Sequence, residues 1–150
     1  MKTIRKEAFR SHCAVNYGVE LFGDRWSLLI IRDIVFTGKK TYGQFLKSEE
    51  GIATNVLASR LAFLEEQGIL SKEPNPDDRR KDFYRLTDKG IDLIPILLNI
   101  VLWSAKHDSQ SYVRPGSKLF ERLTESPAQV IEEVRALLRE GGCIFPQGNE

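Results

Sequence analysis

The chain has 150 residues, 41% of them hydrophobic and 29% charged, enough for one compact domain with a real core and too few for two comfortable ones. A formal charge of +1 excludes a broad electrostatic field, so any attraction to nucleic acid must come from a local basic patch. Cys13 and Cys143 stand far apart with no CxxC or His/Cys cluster nearby, which excludes a disulfide scaffold and a zinc site and fits a reducing cytoplasm. Met1–Arg10 carries no apolar run of the signal-peptide kind. The most apolar stretch, Ile91–Trp103, falls short of the roughly 20 residues of a membrane span. The expectation is a cytoplasmic protein with no membrane partner.

In chain order, residues 14–22 read as a short helix with Val15, Val19 and Phe22 at helical spacing, ended by Gly23. Asp24 is placed to cap a second helix whose apolar stripe is Trp26, Leu29, Ile30 and Ile34. After the turn Thr37–Lys40, the pattern Thr41-x-x-Gln44 is a capping box opening a short helix that buries Phe45 and Leu46. A polar turn, Ser48–Gly51, leads to a helix from about Thr54 to Gln67. Its inner face is Leu57, Leu61 and Leu64, and its outer side holds Asn55, Ser59, Arg60 and Ala62. Gly68 stands at its C-terminal stop. Two helices joined by a tight turn, the second with a small and polar outer face, make a helix-turn-helix.

Residues 69–73 and 81–86 then read as two strands around a Pro/Asn/Asp loop, a hairpin whose tip carries Arg79, Arg80 and Lys81. A hairpin directly behind a helix-turn-helix is a wing. Thr87 caps a longer helix expected to run to about His107 and to bend at Pro95. Ten apolar residues lie within Ile91–Trp103, on more than one face. A domain of this size has one inner side, so the second face calls for a partner. Beyond Arg114–Ser117, Ser126-Pro127 opens a last helix with the stripe Val130, Ile131, Val134, Leu137 and Leu138, stopped by Gly141-Gly142. The fold class is therefore mainly α with a small β-hairpin wing.

Several segments together resemble the HxlR family of bacterial regulators: Cys13-Ala14-Val15, Phe22 to Ile30, Gly51 to Leu57, Arg60-Leu61, Leu64 to Leu70, Tyr84-x-Leu86-Thr87-x-x-Gly90, and the Leu/Ile-rich helix ending at Trp103. The match runs in order over about residues 12–107, which makes that segment the winged helix-turn-helix domain and leaves 115–150 as a helical extension of unassigned role. The resemblance implies a homodimer whose contacts come from the first and the post-wing helices, with Val15, Val19, Ile94, Leu97, Leu98, Val101 and Trp103 as the expected interface. It also implies control of nearby genes and, in several members, sensing of oxidants or electrophiles through a cysteine near the N-terminus. Many members have Ser or Thr where this chain has Ala53, which leaves Thr54 between two roles, helix cap or DNA contact.

A DNA-reading helix needs an outer face free of bulk and rich in donors, with basic residues beside it to reach phosphates. Thr54, Asn55, Ser59 and Arg60 supply the first requirement; Lys39, Lys40, Arg79, Arg80 and Lys81 supply the second. Double-stranded DNA, read as an inverted repeat by a homodimer, is the expected partner. Cys13, beside His12 at a helix N-terminus where the dipole favours a thiolate, is the candidate redox sensor, against the plainer role of a small packing residue. Trp26 and Trp103 suit a core, a dimer interface or the lining of an effector pocket. An enzyme is not expected. Gly18 to Gly23 has P-loop spacing, but Asp24 and Arg25 follow where Lys and Ser/Thr are required, and neither HExxH nor GxSxG occurs. No cofactor or metal is implied. The alternative to a DNA regulator is a winged helix used only to bind another protein, which would lack salt-dependent affinity for DNA.

Overall fold

The computed structural model describes residues 9–146, so residues 1–8, which carry most of the segment read for a leader, and the last four of the expected extension lie outside the described residues. Helix α1, Ala14–Phe22, buries Leu21 and leaves Val15 and Val19 exposed. The chain turns at Gly23, and Trp26, not Asp24, is the N-cap residue of the next helix; Asp24 braces that end from just before it, one carboxylate oxygen accepting the Trp26 and Ser27 backbone N–H groups at 2.9 and 3.0 Å. That helix, α2 (Ser27–Thr37), runs through the middle of the molecule with Ile30, Ile31, Ile34 and Val35 buried.

Helix α3 (Tyr42–Leu46) opens with the full Thr41/Gln44 capping box and drives Phe45 into the core. Helix α4 (Thr54–Glu66) buries Leu57, Leu61 and Leu64 and is followed by Gly68 at φ 75°. Strands β1 (Leu70–Pro74) and β2 (Asp82–Leu86) pair antiparallel from Leu70↔Leu86 to Pro74↔Asp82. A further rung ties the wing to the turn before α3, because the Tyr84 N–H donates to the Lys40 carbonyl at 2.8 Å.

The expected long helix after the wing is in fact two. Helix α5 (Asp88–Ile91), capped by the Thr87 hydroxyl, ends in a turn before α6 (Ile94–His107) begins. Pro95 does not bend a continuous helix; it sits in the first turn of α6, where its missing N–H costs nothing. Gly90 in α5 lies so close to the Ile69 carbonyl that a Cβ would collide with it, which fixes the wing's base against α5.

Two helices complete the chain. Helix α7 (Lys118–Glu125), capped by Ser117, has no counterpart in the sequence reading; helix α8 (Pro127–Arg139) starts with its proline as expected. Leu123, Val130 and Val134 join the same core as the helix-turn-helix, so the extension is part of the domain's interior packing. After α8 the chain returns to α2. The Ile144 and Phe145 N–H groups donate to the Val35 and Phe36 carbonyls at 2.9 and 2.7 Å, and the Phe36 and Phe145 rings stack at 5.9 Å. Cys143, in this returning segment, packs against Gly38. No helix among the described residues is long and apolar enough to cross a membrane.

Candidate nucleic-acid interface

The outer face of α4 is the centre of the candidate site. Thr54, Asn55, Ala58, Ser59 and Ala62 are exposed there, opposite the buried leucines, so the helix shows a low surface with an amide and hydroxyls standing out. Ala53 is the N-cap residue and Thr54 the first helical one, which takes the cap role away from Thr54. Among the described residues no side chain caps α4, and its first N–H groups have no acceptor within the helix. Tyr42 from α3 donates its hydroxyl to the Thr54 carbonyl at 3.0 Å and pins this end of the helix.

The wing tip lies on an ordered loop. The Asn75 N–H donates to the Lys81 carbonyl, the Lys81 N–H to the Asp78 carbonyl, and the half-buried Asp78 carboxylate accepts the Arg80 backbone N–H. Arg79, Arg80 and Lys81 are exposed. Arg80 folds back onto Asp78, with Nε 3.1 Å from Oδ1, and this contact together with the backbone bond holds the Asp78 carboxyl below the usual carboxylate range. Lys40 stands at the wing's base, its ammonium 5.7 Å from the centre of the Phe83 ring.

Two expected DNA contacts are engaged inside the protein. Arg60 lies 3.6 Å from the Asp24 carboxylate and 4.7 Å from the Phe63 ring centre. Burial pushes the Asp24 carboxyl up, but bonds from the Ser27 hydroxyl and two backbone N–H groups, with the Arg60 charge, hold it lower than normal. Lys39 donates to the Ser48 hydroxyl at 2.8 Å and lies 3.5 Å from the buried Asp33 carboxylate. Sequence reasoning missed Asp33, Arg32, Ser48 and Glu50. The signal was present: Asp33 falls on the same side of α2 as Ile30 and Ile34, where a charge needs buried partners.

Part of the expected dimer surface is turned inward. Ile94, Leu97 and Leu98 are 0%, 5% and 2% exposed within the chain's own core and are unavailable to a second copy; Val101 also packs against that core. The face of α6 turned outward is Ile96, Ile100 and Trp103, at steps of four and three residues. Val15 and Val19 of α1, 75% and 49% exposed, line a groove of about 500 Å³ with Tyr17, Phe22, Leu93 and Ile96, so the two outward faces adjoin. Trp26 is half-buried on the core. Cys13 is exposed at the N-cap position of α1, beside an exposed His12.

Comparison with known proteins places this arrangement. An uncharacterised HTH-type transcriptional regulator of Mycobacterium tuberculosis is 35% identical over 94 residues, 63% of this chain and 58% of its own length. One from Synechocystis is 33% identical over 86 residues, 57% of this chain and 63% of its own. The match thus spans about three fifths of those relatives. Among solved structures, PA1607, a candidate transcription factor, superposes with a TM-score of 0.61 at 36% identity, covering 71% of this chain and 75% of that one. The oxidised form of the redox regulator HypR gives 0.56 at 25% identity, over 63% and 96%. The HxlR-like helix-turn-helix family model matches residues 21–112, from the end of α1 past the end of α6 and so across the whole helix-turn-helix and wing, and the chain belongs to that family.

Proposed function

We propose that the chain is a sequence-specific DNA-binding transcriptional regulator that acts as a homodimer on an inverted-repeat operator. The observation that carries this reading is the uncapped N-terminus and small, polar outer face of α4 beside a wing tip with three exposed basic residues. A helix N-terminus without a cap attracts a phosphate, and Asn55 has the donor and acceptor pair that reads an adenine edge in the major groove. Ser59 offers a second polar contact one turn further on, and Thr54 a hydroxyl at the phosphate. Arg79, Arg80 and Lys81, with Lys40 nearer the base, neutralise backbone charge.

The exposed apolar face of Val15, Val19, Ile96, Ile100 and Trp103 supports the homodimer, since a patch of this kind is rarely left in water. A two-fold dimer sets two recognition helices into successive major grooves about 34–36 Å apart. Genome-wide footprinting with the purified protein tests the reading. Protected inverted repeats are expected; no salt-dependent affinity for any duplex would instead favour a winged helix that binds only protein.

Control by oxidants or electrophiles belongs to the same reading. Cys13 is exposed at the start of α1, the helix that carries Val15 and Val19 of the proposed interface, and a structural relative is a redox regulator. Diamide should change operator affinity, and Cys13→Ser should abolish the change. An equal response in the variant removes Cys13 from the mechanism.

A further inference from the structure

We infer that Asp33, with Lys39 and Ser48, is a positioning device for the recognition helix α4; the inference rests on the DNA-binding reading above. Asp33 is 5% exposed on α2, and a buried carboxylate is tolerated only when its oxygens are fully engaged. They are. One accepts Arg32 Nε and Nη2 at 3.0 and 2.8 Å; the other accepts the Ser48 hydroxyl and lies 3.5 Å from the Lys39 ammonium. Lys39 and Ser48 also bond to each other at 2.8 Å, and Arg32 forks onto both Glu50 oxygens at 2.6 and 2.8 Å.

The placement of these groups gives the network its meaning. Lys39 lies just before the capping box of α3, and Ser48 and Glu50 form the turn between α3 and α4. One carboxylate on α2 therefore grips the chain on both sides of α3. Helix α3 has five residues, too few to hold an orientation by itself, and its buried anchor Phe45 resists withdrawal far better than rotation. Hydrogen bonds to a carboxylate are directional, whereas apolar contact is not. The pin on both flanks fixes how α3 lies on α2, and through the Ser48–Gly51 turn it fixes the angle at which α4 leaves. Lys39, with 22% of its side chain exposed and two internal partners, serves this pin and not the DNA backbone.

The test compares Lys39→Met, Ser48→Ala and Asp33→Asn in the full chain, by affinity for operator and random duplexes across a salt series, with thermal unfolding recorded for each. Positioning predicts that Lys39→Met and Ser48→Ala weaken operator binding by about tenfold, the scale of one misplaced base contact. Random-duplex affinity and the salt slope should stay as they were. Asp33→Asn strikes the core hardest, and Ser48→Ala, at a half-buried site, keeps the inference falsifiable if that variant does not fold. A Lys39→Met slope lowered by about 0.9 per subunit with an unchanged operator-to-random ratio would make Lys39 a phosphate contact and overturn the inference. A lower melting temperature with the ratio intact would also overturn it, because the network would then serve stability alone. If the unmodified chain binds no duplex, the DNA reading falls and this inference with it; if it binds and the variants keep its ratio, only this inference falls.

Discussion

Replacing Arg80 by alanine isolates the wing's electrostatic share of DNA binding. Residues 77–81 hold two carboxylates and three basic groups, a net +1 in which Arg80 is one of the cations. In the free protein Arg80 rests 3.1 Å from Asp78 with its side chain 90% exposed, a weak pairing that a phosphate can replace. Each phosphate neutralised contributes about 0.9 to the slope of log affinity against log salt, so two wings in a dimer contribute about 1.8. Between 50 and 200 mM salt, the parent should therefore lose about 12-fold more affinity than Arg80→Ala, on operator and random duplex alike. Asp78→Asn acts in the opposite sense. It frees Arg80 and removes a like charge facing the phosphate, so all duplexes should bind more tightly. Fluorescence anisotropy of labelled duplexes over that salt range measures both effects. An Arg80→Ala slope equal to the parent's would refute contact between wing and backbone.

Asn55→Ala should cost roughly 1–3 kcal/mol on the operator and little on random DNA, relaxing base preference at one position of each half-site; selection of binding sequences by the variant checks this. Trp103→Glu or Val19→Glu places a charge on the outward apolar face and should yield monomers in sedimentation at micromolar concentration, whereas an intact dimer would remove that face from the interface. Glu50 supplies a pH test. The Arg32 fork is the main cause holding its carboxyl at about 2, against 4.5 for a free one. A depressed folded-state value stabilises fully above the unfolded one, and that contribution disappears as pH falls from about 4.5 toward 2. Glu50→Gln should thus unfold at lower urea than the parent at pH 7, with the gap closing in acid. Parallel pH profiles would show that the ion pair contributes nothing.

How legible the molecule was depended on how far apart in the chain the deciding partners lie. Thr41 and Gln44, Thr87 and Gly90, and Gly68 after Leu64 act within one helical turn, and their roles could be read directly. The same holds for the order of helix, turn, helix and hairpin, and for the polar outer face of α4, because burial of Leu57, Leu61 and Leu64 follows from their spacing alone. Helix α7 escaped notice because its apolar positions, Leu119, Phe120 and Leu123, give too short a periodic run to be distinctive.

Other features had no local signature. A helix apolar on two sides cannot declare which side its own domain takes, so Ile94, Leu97 and Leu98 could be told from Ile96, Ile100 and Trp103 only by what packs against α6. Lysine and arginine look alike in sequence whether they reach solvent or a carboxylate. Asp24 claims Arg60 from 36 positions away, and Ser48 and Asp33 claim Lys39 from nine and six. The sequence by itself determined the helix-turn-helix, the hairpin behind it and the wing's charge, since those rest on contacts along the chain. Only the tertiary structure decided which apolar face stays outside and which cations are free, because both depend on groups that meet only when distant segments pack.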